Sequence, residues 1–190
     1  MADTVGVTVM FTDLVDSTGI ATRLGADEAE RLRLTHFTLL RAAIGDHGGI
    51  EVKNLGDGFM AAFPSSAAAL DAAVAIEHAV FRHGATNPEP LAVRIGIAAG
   101  DCTVDADDYF GEPVVIAARL CARADAGEIL VPDHLRHLVP RGRFAFTPIG
   151  PTDLKGIPEP VVVAALDWEP PDATAHARVL GVLDRLAGDA

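Results

Sequence analysis

The first apolar run, VGVTVMF, is β-branched and free of charge, and it predicts a buried strand from Val5 to Phe11. Helical spacing follows in DSTGIATRLGADEAERLRLTHFTLLRAAIGDHGG, where Leu32, Phe37, Leu40 and Ile44 recur on one side until Gly48-Gly49 ends the run. IEVKNL and GFMAAF read as two short strands joined at Gly56-Asp57-Gly58, a hairpin signature. PSSAAALDAAVAIEHAVFRHG is an alanine-rich helix with a proline-serine start and a glycine stop. LAVRIGIAAG alternates as a strand, DCTVDADDYFGEP reads as a polar loop, and VVIAARLCARAD as a helix that Gly127 terminates. EILV is a strand, PDHLRHLV a short helix, and RFAFTPIG and VVVAALDW are late strands with the turn LKGIPEP between them. After Pro170-Pro171 a last amphipathic helix carries Val179, Val182, Leu183 and Leu186 on one side.

Strands and helices mix here without strict alternation, and hairpins are present. The fold class expected is α/β, an α+β sandwich whose mixed, largely antiparallel sheet is covered by helices. The main domain is expected over residues 1–169, with residues 170–190 as a C-terminal helical tail.

Composition narrows the picture. The chain has 190 residues, 49% hydrophobic and 22% charged, which suits one globular domain with a substantial core. The formal net charge of -12 disfavours a nucleic-acid partner. It is compatible with a nucleotide ligand, because metal ions and a few local cations neutralise a triphosphate. Cys102 and Cys121 have neither metal-knuckle spacing nor a disulfide framework, and read as packed thiols in a reducing, cytoplasmic setting. No apolar run approaches the roughly 20 residues that cross a bilayer. The N-terminus has an acid where a signal peptide needs basic residues.

Three segments carry candidate chemistry. In FTDLVDST, Asp13 lies just past the first strand, and the amides of Ser17 and Thr18 at a helix start face any anion placed there. Alone, this segment reads better as helix capping by Asp or Ser. In KNLGDG, Asp57 sits at a hairpin tip between two glycines, and alone that is an ordinary Asp-Gly turn. Together they say more. Adjacent strands lie roughly 5 Å apart, so pairing of the first strand with this hairpin brings Asp13 and Asp57 together. Two such carboxylates repel unless a cation neutralises them, and their oxygens suit Mg²⁺ or Mn²⁺. In DDYFGEPVVIAARL, Asp108 precedes an aromatic-glycine turn, and Arg119 lies in an otherwise apolar row with Val115, Ile116 and Ala118. An arginine in that setting is a snorkelling surface residue or a phosphate clamp.

FTDLVDST, KNLGDG and DYFGEPVVIAARL, in this order and followed by LKGIPEP, resemble the catalytic domain of class III nucleotide cyclases, from about Val5 to Trp168. The resemblance implies a ferredoxin-like core and two divalent cations, Mg²⁺ or Mn²⁺, held by Asp13, Asp57 and the backbone carbonyl of Leu14. It implies phosphate contacts from the Ser17 and Thr18 amides, base recognition by Lys53 with Asp108, and transition-state stabilisation by Arg119. It also implies a head-to-tail homodimer in which one protomer supplies the metal aspartates and the other Lys53, Asp108 and Arg119. The Lys53–Asp108 pair matches adenine, which offers an N6 donor and an N1 acceptor, whereas guanine reverses both. The activity implied is conversion of ATP to 3′,5′-cyclic AMP and pyrophosphate.

Two positions depart from the family. Val115 stands where the family has a ribose-orienting asparagine, and loss of one preorganised polar contact typically costs roughly 10²–10³ in rate. Ile157 stands where some relatives carry a second lysine for the triphosphate, which leaves Lys155 to serve. The alternative implied is a cyclase-like nucleotide-binding or regulatory module with weak or no turnover.

Overall fold

The computed structural model describes residues 3–170 of the chain. The expected tail helix lies outside the described residues. Eight strands form one sheet: β1 (Asp3–Leu14), β2 (Ile50–Asn54), β3 (Phe59–Phe63), β4 (Val93–Asp105), β5 (Asp108–Phe110), β6 (Ile129–Pro132), β7 (Phe146–Thr152) and β8 (Val161–Leu166). Their order is β2-β3-β1-β4-β6-β8-β7, with β5 paired to β4. The β4–β6 pair is parallel and the other pairs are antiparallel. Four helices, α1 (Ser17–Leu24), α2 (Ala26–Asp46), α3 (Ser66–Thr86) and α4 (Glu112–Arg123), cover it. The mixed, largely antiparallel α/β architecture is therefore the one expected. Among the described residues no helix is long and apolar enough to cross a membrane.

The period-two alternation of β1 divides the core. Met10 and Leu14 point to the face packed by α2 and α3, with Phe37, Leu40, Phe59, Phe63, Leu70 and Ile76. Val9 points to the opposite face, with Met60, Ala98, Ile116 and Leu120 under α4. Each large apolar side chain removed from water on these faces contributes about 1.5–3 kcal/mol. Gly96 lets α4 rest directly on β4, since a Cβ there would stand 2.2 Å from the Ala117 carbonyl oxygen and from the Cys121 amide nitrogen.

Four local expectations need correction. The first strand runs past Phe11 to Leu14, because β4 continues opposite it and pairs Asp13 with Arg94 and Leu14 with Val93. Asp13 is thus inside the strand, not beyond it. The first helical run is two helices, broken at Gly25 (φ 78°). DCTVDADDYFGEP is not a loop: β4 extends to Asp105 and turns at Ala106-Asp107 into β5, an arm whose exposed positions keep it polar. PDHLRHLV contributes only a 3₁₀ turn over Asp133–His137. The β2–β3 hairpin and the turn between β7 and β8 lie where the sequence places them.

Candidate active site

The hairpin tip is pressed against the end of β1. A Cβ on Gly58 would lie 1.7 Å from the Thr12 carbonyl oxygen, so only glycine permits this approach. The buried Thr12 hydroxyl accepts from the Phe59 amide at 2.9 Å, and the Leu14 amide donates to the Asp57 carbonyl at 3.2 Å. These bonds bring Asp57 beside Asp13. Burial raises the Asp13 carboxyl above its ordinary value; Arg94 pulls it down, and the adjoining Asp57 carboxyl pushes it up.

Arg94 was not foreseen. It lies opposite Asp13 in the β1–β4 register, and its Nε and Nη2 reach Asp13 Oδ2 at 2.6 and 2.5 Å. The available signal was a charge inside the alternating strand LAVRIGIAAG. His36 was also missed: it is fully buried on α2, with Nε2 3.2 Å from the Asp57 carbonyl oxygen.

The start of α1 faces the same place. Asp16, at the N-cap, has a left-handed backbone (φ 56°, ψ 33°), and its side chain makes no capping bond. Its carboxylate instead accepts from Arg23 Nη1 at 2.8 Å. Ser17 Oγ donates to Asp57 Oδ2 at 2.8 Å. Neither side chain caps the helix, so the capping reading of this segment fails. The N-terminal amides of α1 at Ser17 and Thr18 have no side-chain cap, the condition under which a helix start receives an anion. A cavity of about 230 Å³ between α1 and α2 has Leu14, Ser17 and Asp57 in its wall.

Two neighbouring carboxylates, one of them partly buried and already countered by a guanidinium, form a site that favours added positive charge. All-oxygen donors of this kind fit Mg²⁺ or Mn²⁺. Among the described residues no group of three or more His, Cys, Asp or Glu side chains is arranged to hold a metal. A metal here would need further ligands beyond these two side chains, such as water, backbone carbonyls or a substrate's phosphates.

The second group of candidates lies under and on α4. Lys53 Nζ donates to Asp108 Oδ2 at 2.5 Å, and this ammonium holds the Asp108 carboxyl below its ordinary value. A register shift between Glu51 and Lys53 sets Lys53 opposite Met60, on the α4 face of the sheet. Pro113, Ile116, Ala117, Leu120 and Cys121 are the buried side of α4, while Val115 and Arg119, one turn apart, are exposed. Arg119 Nε donates to the Lys155 carbonyl at 2.9 Å, and Arg119 has no ion-pair partner among the described residues. Lys155 itself is exposed. A groove of about 640 Å³ runs beside them, between Glu112 and Ile116 of α4, the 3₁₀ turn and Ile157–Val162. Within one chain, then, Asp13, Asp57 and Ser17 converge, Lys53 and Asp108 converge, and Val115 and Arg119 face outward.

This fold, with two carboxylates at a strand end and hairpin tip and an exposed arginine on the helix after the β4–β5 arm, defines a nucleotide cyclase domain. The chain belongs to the adenylate and guanylate cyclase catalytic domain family, whose model matches residues 1–166. It is 32% identical over 206 residues to a receptor-type adenylate cyclase of Trypanosoma congolense, covering 85% of this chain and 28% of that protein. It is 33% identical over 138 residues to a putative adenylate cyclase 3 of Rhizobium meliloti, covering 70% of this chain and 23% of that protein. The chain thus spans about a quarter of the length of these relatives. Among solved structures it resembles the adenylate/guanylate cyclase/hydrolase of Silicibacter pomeroyi, with TM-score 0.76 and 32% identity over 90% of this chain and all of that one.

Proposed function

We propose that the protein is an adenylate cyclase that converts ATP to 3′,5′-cyclic AMP and pyrophosphate at sites shared by a head-to-tail homodimer. The observation that carries this reading is the separation of the two residue groups. Asp13, Asp57 and Ser17 gather at one place, while Arg119 is directed away from the sheet that holds them. A second copy of the chain is the natural source of an arginine for each site. The relatives named adenylate cyclases support the choice of purine.

Asp13, Asp57 and the Leu14 carbonyl would hold the divalent ions. When bound, such ions acidify the ribose 3′-hydroxyl and neutralise the departing pyrophosphate. The Ser17 and Thr18 amides orient the polyphosphate. Arg94, paired with Asp13, adds a cation where the phosphates would sit. Asp108 accepts from adenine N6, and Lys53 donates to N1; mismatching both groups with guanine costs orders of magnitude in selectivity. Arg119 from the partner copy stabilises charge building on the α-phosphate, and its bond to the Lys155 carbonyl sets its direction. The Lys155 ammonium, which has no ion-pair partner among the described residues, meets the triphosphate. Cytoplasmic ATP is the substrate pool this reading requires.

Val115 favours a second reading, a nucleotide-binding module with little turnover. It is 37% exposed on the face of α4 that carries Arg119, and it offers no hydrogen bond to a ribose. Incubating the protein with ATP and Mn²⁺ and assaying cyclic AMP against Asp57→Ala decides between them. Tight ATP binding without product supports the module.

A further inference from the structure

His36 occupies a place that packing alone does not explain. It lies on α2, 0% exposed, in the row of Leu32 and Leu40, with its ring 5.6 Å from that of Phe37. Its Nε2 is 3.2 Å from the Asp57 carbonyl oxygen. A carbonyl only accepts, so Nε2 carries the proton and Nδ1 is left as an acceptor. Nδ1 is buried and has no partner among the described residues. Burial pushes this imidazole down to about 4, which keeps it a neutral donor near neutral pH. A buried ring with one unpaired nitrogen is less favourable to the fold than an apolar side chain of like volume.

What the imidazole does gain is a hold on the hairpin tip. The Asp57 carbonyl accepts from His36 on α2 and from the Leu14 amide on β1, also at 3.2 Å. Three elements meet at this one oxygen. Within the tip, residues 55–58 are closed by the bond from the Leu55 amide to the Gly58 carbonyl and by the Asn54 side chain, which accepts from the Gly56 amide at 2.8 Å, while Ser17 Oγ reaches the Asp57 carboxylate and Thr12 Oγ1 the neighbouring Phe59 amide. None of those bonds reaches the Asp57 carbonyl.

We infer that His36 is a positioning residue: it anchors the Asp57 carbonyl and so holds the Asp57 carboxylate where it meets a divalent cation beside Asp13. This rests on the reading of Asp57 as a metal ligand given above. Partners that orient metal-binding side chains from behind typically change affinity by about 10–100-fold when lost.

The test is Mn²⁺ binding to the full chain, followed by electron paramagnetic resonance in the presence of 3′-deoxy-ATP. That nucleotide lacks the attacking hydroxyl and cannot turn over. His36→Leu should weaken Mn²⁺ binding about tenfold while its melting temperature stays level or rises. His36→Gln, whose amide nitrogen reaches the Nε2 position, should bind within about twofold of the parent. His36→Asn, too short to reach, should bind like His36→Leu. If His36→Leu fails to fold, the contrast between the Gln and Asn variants decides. Parent-like binding by His36→Leu and His36→Asn, with binding lost in Asp57→Asn, overturns the inference and leaves the cyclase reading standing. Parent-like binding by Asp57→Asn as well overturns the metal site itself. Equal losses of affinity and melting temperature in all three His36 variants would make the role structural only and also overturn the inference.

Discussion

Lys53 donates to Asp108 across 2.5 Å, tying strand β2 to the β4–β5 arm 55 residues later in the chain. Asp57, only four residues from Lys53, instead accepts from Ser17 on the other side of the hairpin tip. One short hairpin therefore serves two clusters.

The Lys53–Asp108 pair gives the first prediction. If it reads adenine, Lys53→Glu combined with Asp108→Cys reverses the hydrogen-bond demand. The ratio of kcat/KM for GTP over ATP should rise by at least about tenfold, since each group mismatched against a base that covers it costs about 1–3 kcal/mol. Paired rate measurements with the two nucleotides check this, and an unchanged ratio places base recognition elsewhere.

Arg94 gives the second. It is the cation that faces Asp13. Arg94→Gln leaves a partly buried carboxylate beside Asp57 without it and should cost about 1–2 kcal/mol. Mn²⁺ should then raise the melting temperature of Arg94→Gln more than that of the parent, because metal binding no longer competes with a guanidinium. Thermal melts with and without Mn²⁺ measure both effects.

These two clusters were unequally legible in the sequence. Asp57 could be found because two glycines between apolar strands mark a hairpin tip. Lys53, Asp108 and Arg119 could be placed by order and spacing within familiar motifs. Arg94 and His36 were not found: Arg94 falls in the non-apolar phase of an alternating strand and reads as a surface charge, whereas His36 falls in the apolar row of Leu32 and Leu40 and reads as core. Only three-dimensional register shows that Arg94 faces Asp13 and that His36 lies beneath Asp57. The extent of β1 and the β4–β5 arm were missed for a related reason. Strand pairing across the sheet overrode polar local sequence at Asp13 and from Asp101 to Asp108.

Val115 sets a third expectation. Val115→Asn restores a donor and acceptor on the exposed face of α4, one turn from Arg119. If ribose positioning limits the reaction, kcat should rise by about tenfold, part of the roughly 10²–10³ that one preorganised contact supplies. An unchanged kcat means the ribose is held by another group.

A fourth concerns pH. Glu77 on α3 is buried, and burial pushes its carboxyl up to about 8 from 4.5. The folded protein keeps this proton after the unfolded chain has lost it. The contribution is complete below pH 4.5 and is lost as pH rises towards 8. His36 acts oppositely: its value is depressed from 6.5 to about 4, so its contribution is present above pH 6.5 and lost as pH falls towards 4. Of these two groups, only Glu77 titrates differentially between pH 6.5 and 8. Its loss there amounts to about 2 kcal/mol. Glu77→Gln should flatten that decline in urea unfolding measured across this range.

The central claim is that each active site takes its metal-binding aspartates from one copy and its arginine from the other. Asp57→Ala and Arg119→Ala, purified separately, should each form cyclic AMP from ATP and Mn²⁺ only near background. Mixed in equal amounts and allowed to exchange subunits, they should recover about one quarter of parental activity, because half the dimers are mixed and each has one intact site of two. A mixture no more active than its components, with subunit exchange verified, would contradict the account.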